Sequence, residues 1–195
     1  MINYGKQSIN QDDIDAVTNV LKSDFLTQGP KVVEFERDLS SYCSVKYTKV
    51  VCNGTAALHL AYLAIGLEPG DIVWTTANTF VATANAALYC GATVDFVDID
   101  LRTYNLSINS LKEKLMQAKK DNKLPKLLVP VHFAGQSCEM KAIWELSKEY
   151  GFKVIEDASH AIGSKYIGKY VGGCQYSDIT VFSFHPVKII TTAEG

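Results

Sequence analysis

The hydrophobic positions change period along the chain in a regular way. Residues 48–52, 72–75, 93–99, 126–133, 152–155 and 179–184 are short runs rich in branched aliphatic and aromatic residues, the composition of buried strands. Between them apolar residues recur at helical spacing. Ile14, Val17, Val20 and Leu21 fall on one helical face behind Asn10, which reads as a cap with Asp12 and Asp13 in the first turn. Pro30 suits the first position of a second helix whose buried face carries Val33, Phe35, Leu39 and Tyr42. Further helices are predicted from residue 54 through Leu60, Leu63 and Leu67, over 79–90, over 107–120 with Leu111 and Leu115 inward, and over 139–150 with Ile143, Trp144 and Leu146. Gly151 fits the C-cap of the last. Gly168, Gly172 and Gly173 between short β-like runs predict a hairpin over 165–173.

Strands and helices alternating at this spacing imply crossover connections. The expected fold is α/β: a mainly parallel mixed sheet between helices, an α/β/α sandwich. Ligands in such folds bind beyond the carboxyl ends of the strands, where Asn53, residues 76–80, His132, residues 156–160, Ser183 and Lys188 fall. There is no internal repeat and no interdomain linker. With 195 residues, 47% hydrophobic and 21% charged, the chain has a globular composition. Its net charge of −2, without long blocks of one sign, argues against a nucleic-acid partner or a polybasic membrane patch. No signal-like apolar core and no run of the roughly 18 apolar residues needed to span a bilayer point to a cytoplasmic protein. Five scattered cysteines, odd in number and without a C-x-x-C pair, suit buried thiols in a reducing compartment rather than disulfides or a metal site.

Candidate chemistry gathers at the strand ends. Pro186 stops the last strand, so Lys188 lies just beyond it. Phe184, Val187, Ile189 and Ile190 are expected to desolvate its ammonium and leave a nucleophilic amine able to form a Schiff base; the bland alternative is a snorkelling surface lysine. Asn53, Gly54 and Thr55 form a glycine turn from strand to helix, either a phosphate cradle or an ordinary helix start, and not a Walker loop. Asp157 ends an apolar strand and there needs a cationic partner, or else caps the next turn with Glu156 as a surface neighbour. Thr27, Gln28 and Gly29 are either a linker or a polar ligand contact. An amine, a carboxylate, an anion cradle and a nearby aromatic ring together match what pyridoxal phosphate requires. A dinucleotide-dependent dehydrogenase fits poorly, because no G-x-G-x-x-G follows the first strand.

Five ordered motifs carry a resemblance over essentially the whole chain: residues 26–30 (Leu-Thr-Gln-Gly-Pro), 53–58 (Asn-Gly-Thr-Ala-Ala-Leu), 79–85 (Thr-Phe-Val-Ala-Thr-Ala-Asn), 156–163 (Glu-Asp-Ala-Ser-His-Ala-Ile-Gly) and 183–195, which opens Ser-Phe-His-Pro-Val-Lys. The sequence resembles the DegT/StrS sugar-nucleotide aminotransferases, within fold type I of the pyridoxal-phosphate enzymes. The resemblance implies that Lys188 binds the cofactor's aldehyde and is the catalytic residue, that Asp157 pairs with the ring nitrogen and that Phe80 stacks on the ring. It assigns the phosphate to Gly54, Thr55 and Ser183, and a phenolic-oxygen contact to His160, where many members carry Gln. Tyr4, Thr27 and Gln28 become candidate substrate contacts. His185 is a packing candidate. The chain looks most like the branch that aminates UDP-4-keto-6-deoxy-N-acetyl-β-L-altrosamine with L-glutamate as donor, on the route to pseudaminic acid; a different keto sugar and a non-catalytic homologue are the alternatives. A homodimer with shared active sites is implied for the full-length protein. Residues 1–195 are expected to form an N-terminal segment and a truncated cofactor-binding large domain, without the C-terminal small domain.

Overall fold

The computed structural model describes residues 6–194. Helix α1 (Gln11–Leu21) starts in a capping box: Asn10 Oδ1 accepts the Asp13 N–H while the Asp13 carboxylate accepts the Asn10 N–H. Helix α2 (Pro30–Cys43) has Pro30 in its first turn, where a missing N–H costs nothing. Helix α3 (Gly54–Ala64) is capped by Asn53, whose Oδ1 accepts the Ala56 N–H. There follow β1 (Ile72–Thr75), α4 (Val81–Tyr89), β2 (Thr93–Phe96), α5 (Ile108–Lys120), β3 (Leu127–Val129), α6 (Met140–Tyr150) and β4 (Lys153–Asp157). A small antiparallel hairpin, β5 (Lys165–Tyr166) and β6 (Lys169–Tyr170), precedes the last strand β7 (Ile179–Val181).

Five strands form one sheet in the order β2-β1-β3-β4-β7, every pairing parallel. Period two along the strands sorts their side chains into two cores. Val73, Leu127, Val129, Ile155 and Val181 pack under Leu58, Ala61 and Tyr62 of α3 and Ala82, Ala86 and Ala87 of α4. On the opposite face Trp74, Leu128 and Val154 pack with Leu111 and Leu115 of α5 and Ile143 and Leu146 of α6. The small residues of α4 let that helix sit close to α3 and the sheet. The expected sandwich is present, and because all five strands run the same way their carboxyl ends share one edge.

Three expectations change. Residues 48–52 are not a strand. One backbone N–H there, that of Val50, is taken by the Glu36 carboxylate of α2, 3.1 Å away, rather than by a neighbouring strand. The apolar face of α1 is not buried: Ile14, Val17 and Leu21 are all exposed. Helix α2 buries only Cys43 and half-buries Phe35 and Leu39, with Val33 and Tyr42 exposed. Amphipathic spacing identified these helices correctly but did not say what covers them. The five cysteines are free thiols, and no helix among the described residues is long and apolar enough to cross a membrane.

Candidate active site

The carboxyl edge of the sheet brings most of the singled-out residues together. At its centre is Asp157, the last residue of β4 and 3% exposed. Its Oδ1 accepts the Ser159 N–H at 3.2 Å and the Ser159 hydroxyl at 2.7 Å, a local turn made possible by the two-residue spacing. Its Oδ2 accepts the Thr83 hydroxyl from the first turn of α4 at 2.7 Å. The expected cationic partner is absent: among the described residues no salt bridge reaches Asp157, and neutral donors satisfy it instead.

The start of α3 lies beside the exit of β7. A Cβ added to Gly54 would stand 3.1 Å from Ser183 Cβ and 3.4 Å from its Oγ, so glycine is what lets the helix end approach this serine. Asn53 caps the Ala56 N–H, and no group among the described residues accepts the N–H groups of Gly54 and Thr55. Two free helix-start N–H groups at the positive end of a helix dipole, next to a serine, are chemically suited to a phosphate.

Lys188 follows in a turn after β7, its backbone N–H donating to His185 O at 2.8 Å. It is half-buried, but Val187, Ile189 and Ile190 are exposed and Phe184 turns inward to pack edge-on against Phe35. The expected apolar envelope of these four neighbours therefore does not form, because the turn aims three of them at solvent. His185 is exposed and packs no core. The positive charge of Lys188 is felt at His160: burial first, then Lys188, push the imidazole below its ordinary range, with Asp157 opposing. His160 thus links the lysine and the carboxylate electrostatically. The Phe133 ring lies 6.4 Å from the His160 ring, centroid to centroid.

Phe80, the N-cap residue of α4, is 69% exposed at the same edge, leaving an uncovered aromatic face. Thr27 and Gln28 are exposed in the connection between α1 and α2, and no hydrogen bond among the described residues ties them to Asp157, His160 or Lys188. Tyr4 lies outside the described residues.

Sequence reasoning missed a second, buried polar group behind the edge. Glu156 is 5% exposed and no surface neighbour. One of its oxygens faces His132 Nε2 at 2.7 Å; the other accepts the hydroxyls of Ser177 and Thr180. The Cys138 N–H donates to His132 Nδ1 at 3.1 Å, so Nε2 carries the ring proton and donates to Glu156. Burial raises the Glu156 carboxyl, but these hydrogen bonds outweigh it and hold it below the ordinary carboxylate range. Thr83 and Ser159 were missed too; the spacings Thr79 to Thr83, one helical turn, and Asp157 to Ser159 were the available signals.

This parallel sheet between helices matches solved sugar aminotransferases. Helicobacter pylori PseC, an aminotransferase involved in pseudaminic acid biosynthesis, superposes with a TM-score of 0.90 at 36% identity, covering 98% of this chain and 50% of that one. The pyridoxal-phosphate form of the putative sugar aminotransferase Spr1654 from Streptococcus pneumoniae matches with a TM-score of 0.88 and 31% identity, over 100% of this chain and 51% of that one. The chain belongs to the DegT/DnrJ/EryC1/StrS aminotransferase family, whose model matches residues 7–195. It is 49% identical over 195 residues to a UDP-4-amino-4,6-dideoxy-N-acetyl-beta-L-altrosamine transaminase of Campylobacter jejuni, all of this chain against 50% of that protein. The chain spans about half the length of the curated relatives it matches.

Proposed function

We propose that the protein carrying this chain is a pyridoxal-phosphate-dependent aminotransferase that moves an amino group from L-glutamate to a UDP-4-keto-6-deoxy-N-acetylhexosamine. The observation that carries the reading is the meeting on one sheet edge of the unaccepted Gly54 and Thr55 N–H groups, the buried Asp157 carboxylate and Lys188. Each suits one part of the cofactor. Gly54, Thr55 and Ser183 would hold the phosphate, Asp157 would pair with the pyridine nitrogen, Phe80 would cover the ring, His160 would meet the phenolic oxygen and Lys188 would hold the aldehyde. Neutral donors around Asp157 fit this role, because they orient its charge without neutralising it.

Bound pyridoxal phosphate supplies an aldehyde for amines and a ring that draws electrons from the substrate carbon. Lys188, once the incoming amine has released its Nζ from the aldehyde, would serve as general base toward Cα of L-glutamate and afterwards as general acid. His160, neutral at pH 7 because its imidazole is held below its ordinary range, can donate a single N–H without adding positive charge beside Lys188. Identity with the Campylobacter jejuni transaminase and the fold shared with PseC support a pseudaminic-acid type keto sugar. A cytoplasmic homodimer, with Tyr4, Thr27 and Gln28 near the sugar nucleotide, belongs to the same proposal.

The test is the visible absorption of the purified full-length protein after adding pyridoxal phosphate and then L-glutamate, beside its Lys188→Ala variant. A band that requires Lys188 and bleaches with glutamate is expected. Full-length protein without a lysine-dependent band would sink the reading.

A further inference from the structure

The hydrogen bonds of α4 lead to a residue that lies within the 79–85 motif but was assigned no role there. Thr83 is buried in the first turn of α4, with its backbone carbonyl accepting the hydroxyl of the fully buried Tyr62 at 2.8 Å. A threonine inside a helix usually bonds back to the carbonyl four residues earlier. This hydroxyl instead donates to Asp157 Oδ2. Since Thr83 has one hydroxyl proton and has given it to the carboxylate, the 2.8 Å contact between the Thr79 and Thr83 hydroxyls has Thr79 as its donor. A directed chain therefore runs Thr79 to Thr83 to Asp157. Ser159 fixes the other carboxylate oxygen from the opposite side.

We infer that Thr83 is a positioning residue for the reaction: it locks the rotation of the Asp157 carboxylate and holds its free lone pairs toward the pyridine nitrogen. This deepens the proposed function and rests on it. The physical reason is that Asp157 has only one side-chain torsion beyond χ1, a broad and soft one, so donors on Oδ1 alone, both of them from Ser159, leave the other oxygen free to swing. A donor on Oδ2, from a different element, removes that freedom. The chain from Thr79 polarises the Thr83 hydroxyl in the direction that strengthens its bond to Asp157.

The experiment compares Thr83→Val, which keeps the shape and loses the hydroxyl, with Thr83→Ser, which keeps the hydroxyl, in the full-length protein. Dissociation constants are measured for pyridoxal phosphate and for its 1-deaza analogue, in which a C–H replaces the ring nitrogen. The valine variant should bind pyridoxal phosphate about tenfold or more weakly, the size of one hydrogen bond to a charged group. It should bind the deaza analogue like the parent, and serine should restore the difference. Equal weakening toward both ligands would show a merely structural role and overturn the inference, as would unchanged affinity for both. A parent protein that distinguishes the two ligands keeps the proposed function standing in either case; a parent that binds neither removes the function and the inference together.

Discussion

At the scale of single residues, the site works through neighbours that tune one another. His160 is the clearest case, because its imidazole is lowered first by burial and then by the charge of Lys188, while Asp157 pulls the other way. Removing the lysine charge must therefore raise the histidine. In Lys188→Ala the ring of His160, followed by NMR, should titrate at a higher pH than in the parent, yet still below an unburied histidine, since burial remains. An unchanged midpoint would mean that Lys188 does not face His160. Lys188 and Asp157 were legible in the sequence because their position after strands is a matter of chain order. The environment of Lys188 was not, since whether Val187, Ile189 and Ile190 turn in or out depends on the course of a turn that hydrophobicity does not encode. Thr83 was illegible for another reason: among the alanines of 82–87 it reads as one more small residue that lets α4 pack closely.

At the scale of elements, helix starts were the most readable features. Asn10 and Pro30 act at the helix starts their residue types suggest, because a helix start is decided within four residues. Residues 48–52 failed as a strand because strand identity depends on a partner far away in sequence, and here Glu36 supplies the acceptor for Val50. The contact between α3 and β7 has a functional reading that mutation can isolate. Alanine at Gly54 improves helix propensity by up to about 1 kcal/mol, so fold stability should hold or rise slightly. Its Cβ, however, would press on Ser183 at 3.1 Å and move it away from the helix start. Gly54→Ala should bind pyridoxal phosphate roughly tenfold more weakly, about 1.4 kcal/mol, with the melting temperature within a few degrees of the parent. Unchanged affinity would show that the phosphate does not sit at this helix end.

At the scale of the whole molecule, the same buried network that stays out of the chemistry ties the site to the fold. Glu156 joins β4 to His132 beyond β3 and to Ser177 and Thr180 around β7, three adjacent strands of the sheet, one residue before Asp157. Its carboxyl is held below the value it has in the unfolded chain. A depressed carboxyl contributes stability that is present above the unfolded value, about 4.5, and is lost as pH falls through the folded one. The protein should therefore lose stability on acidification from about pH 4.5 downward. In Glu156→Gln the amide oxygen can still accept the His132 N–H and the NH2 group can donate to one hydroxyl, so the variant should fold with a cost of about 1–3 kcal/mol at pH 7. Having no proton to take up, it should show a shallower decline below pH 4.5. Urea denaturation at pH 7, 5, 4 and 3.5 checks both statements. If parent and variant decline in parallel, Glu156 does not carry the acid sensitivity, and the cross-strand network is a packing feature without charge.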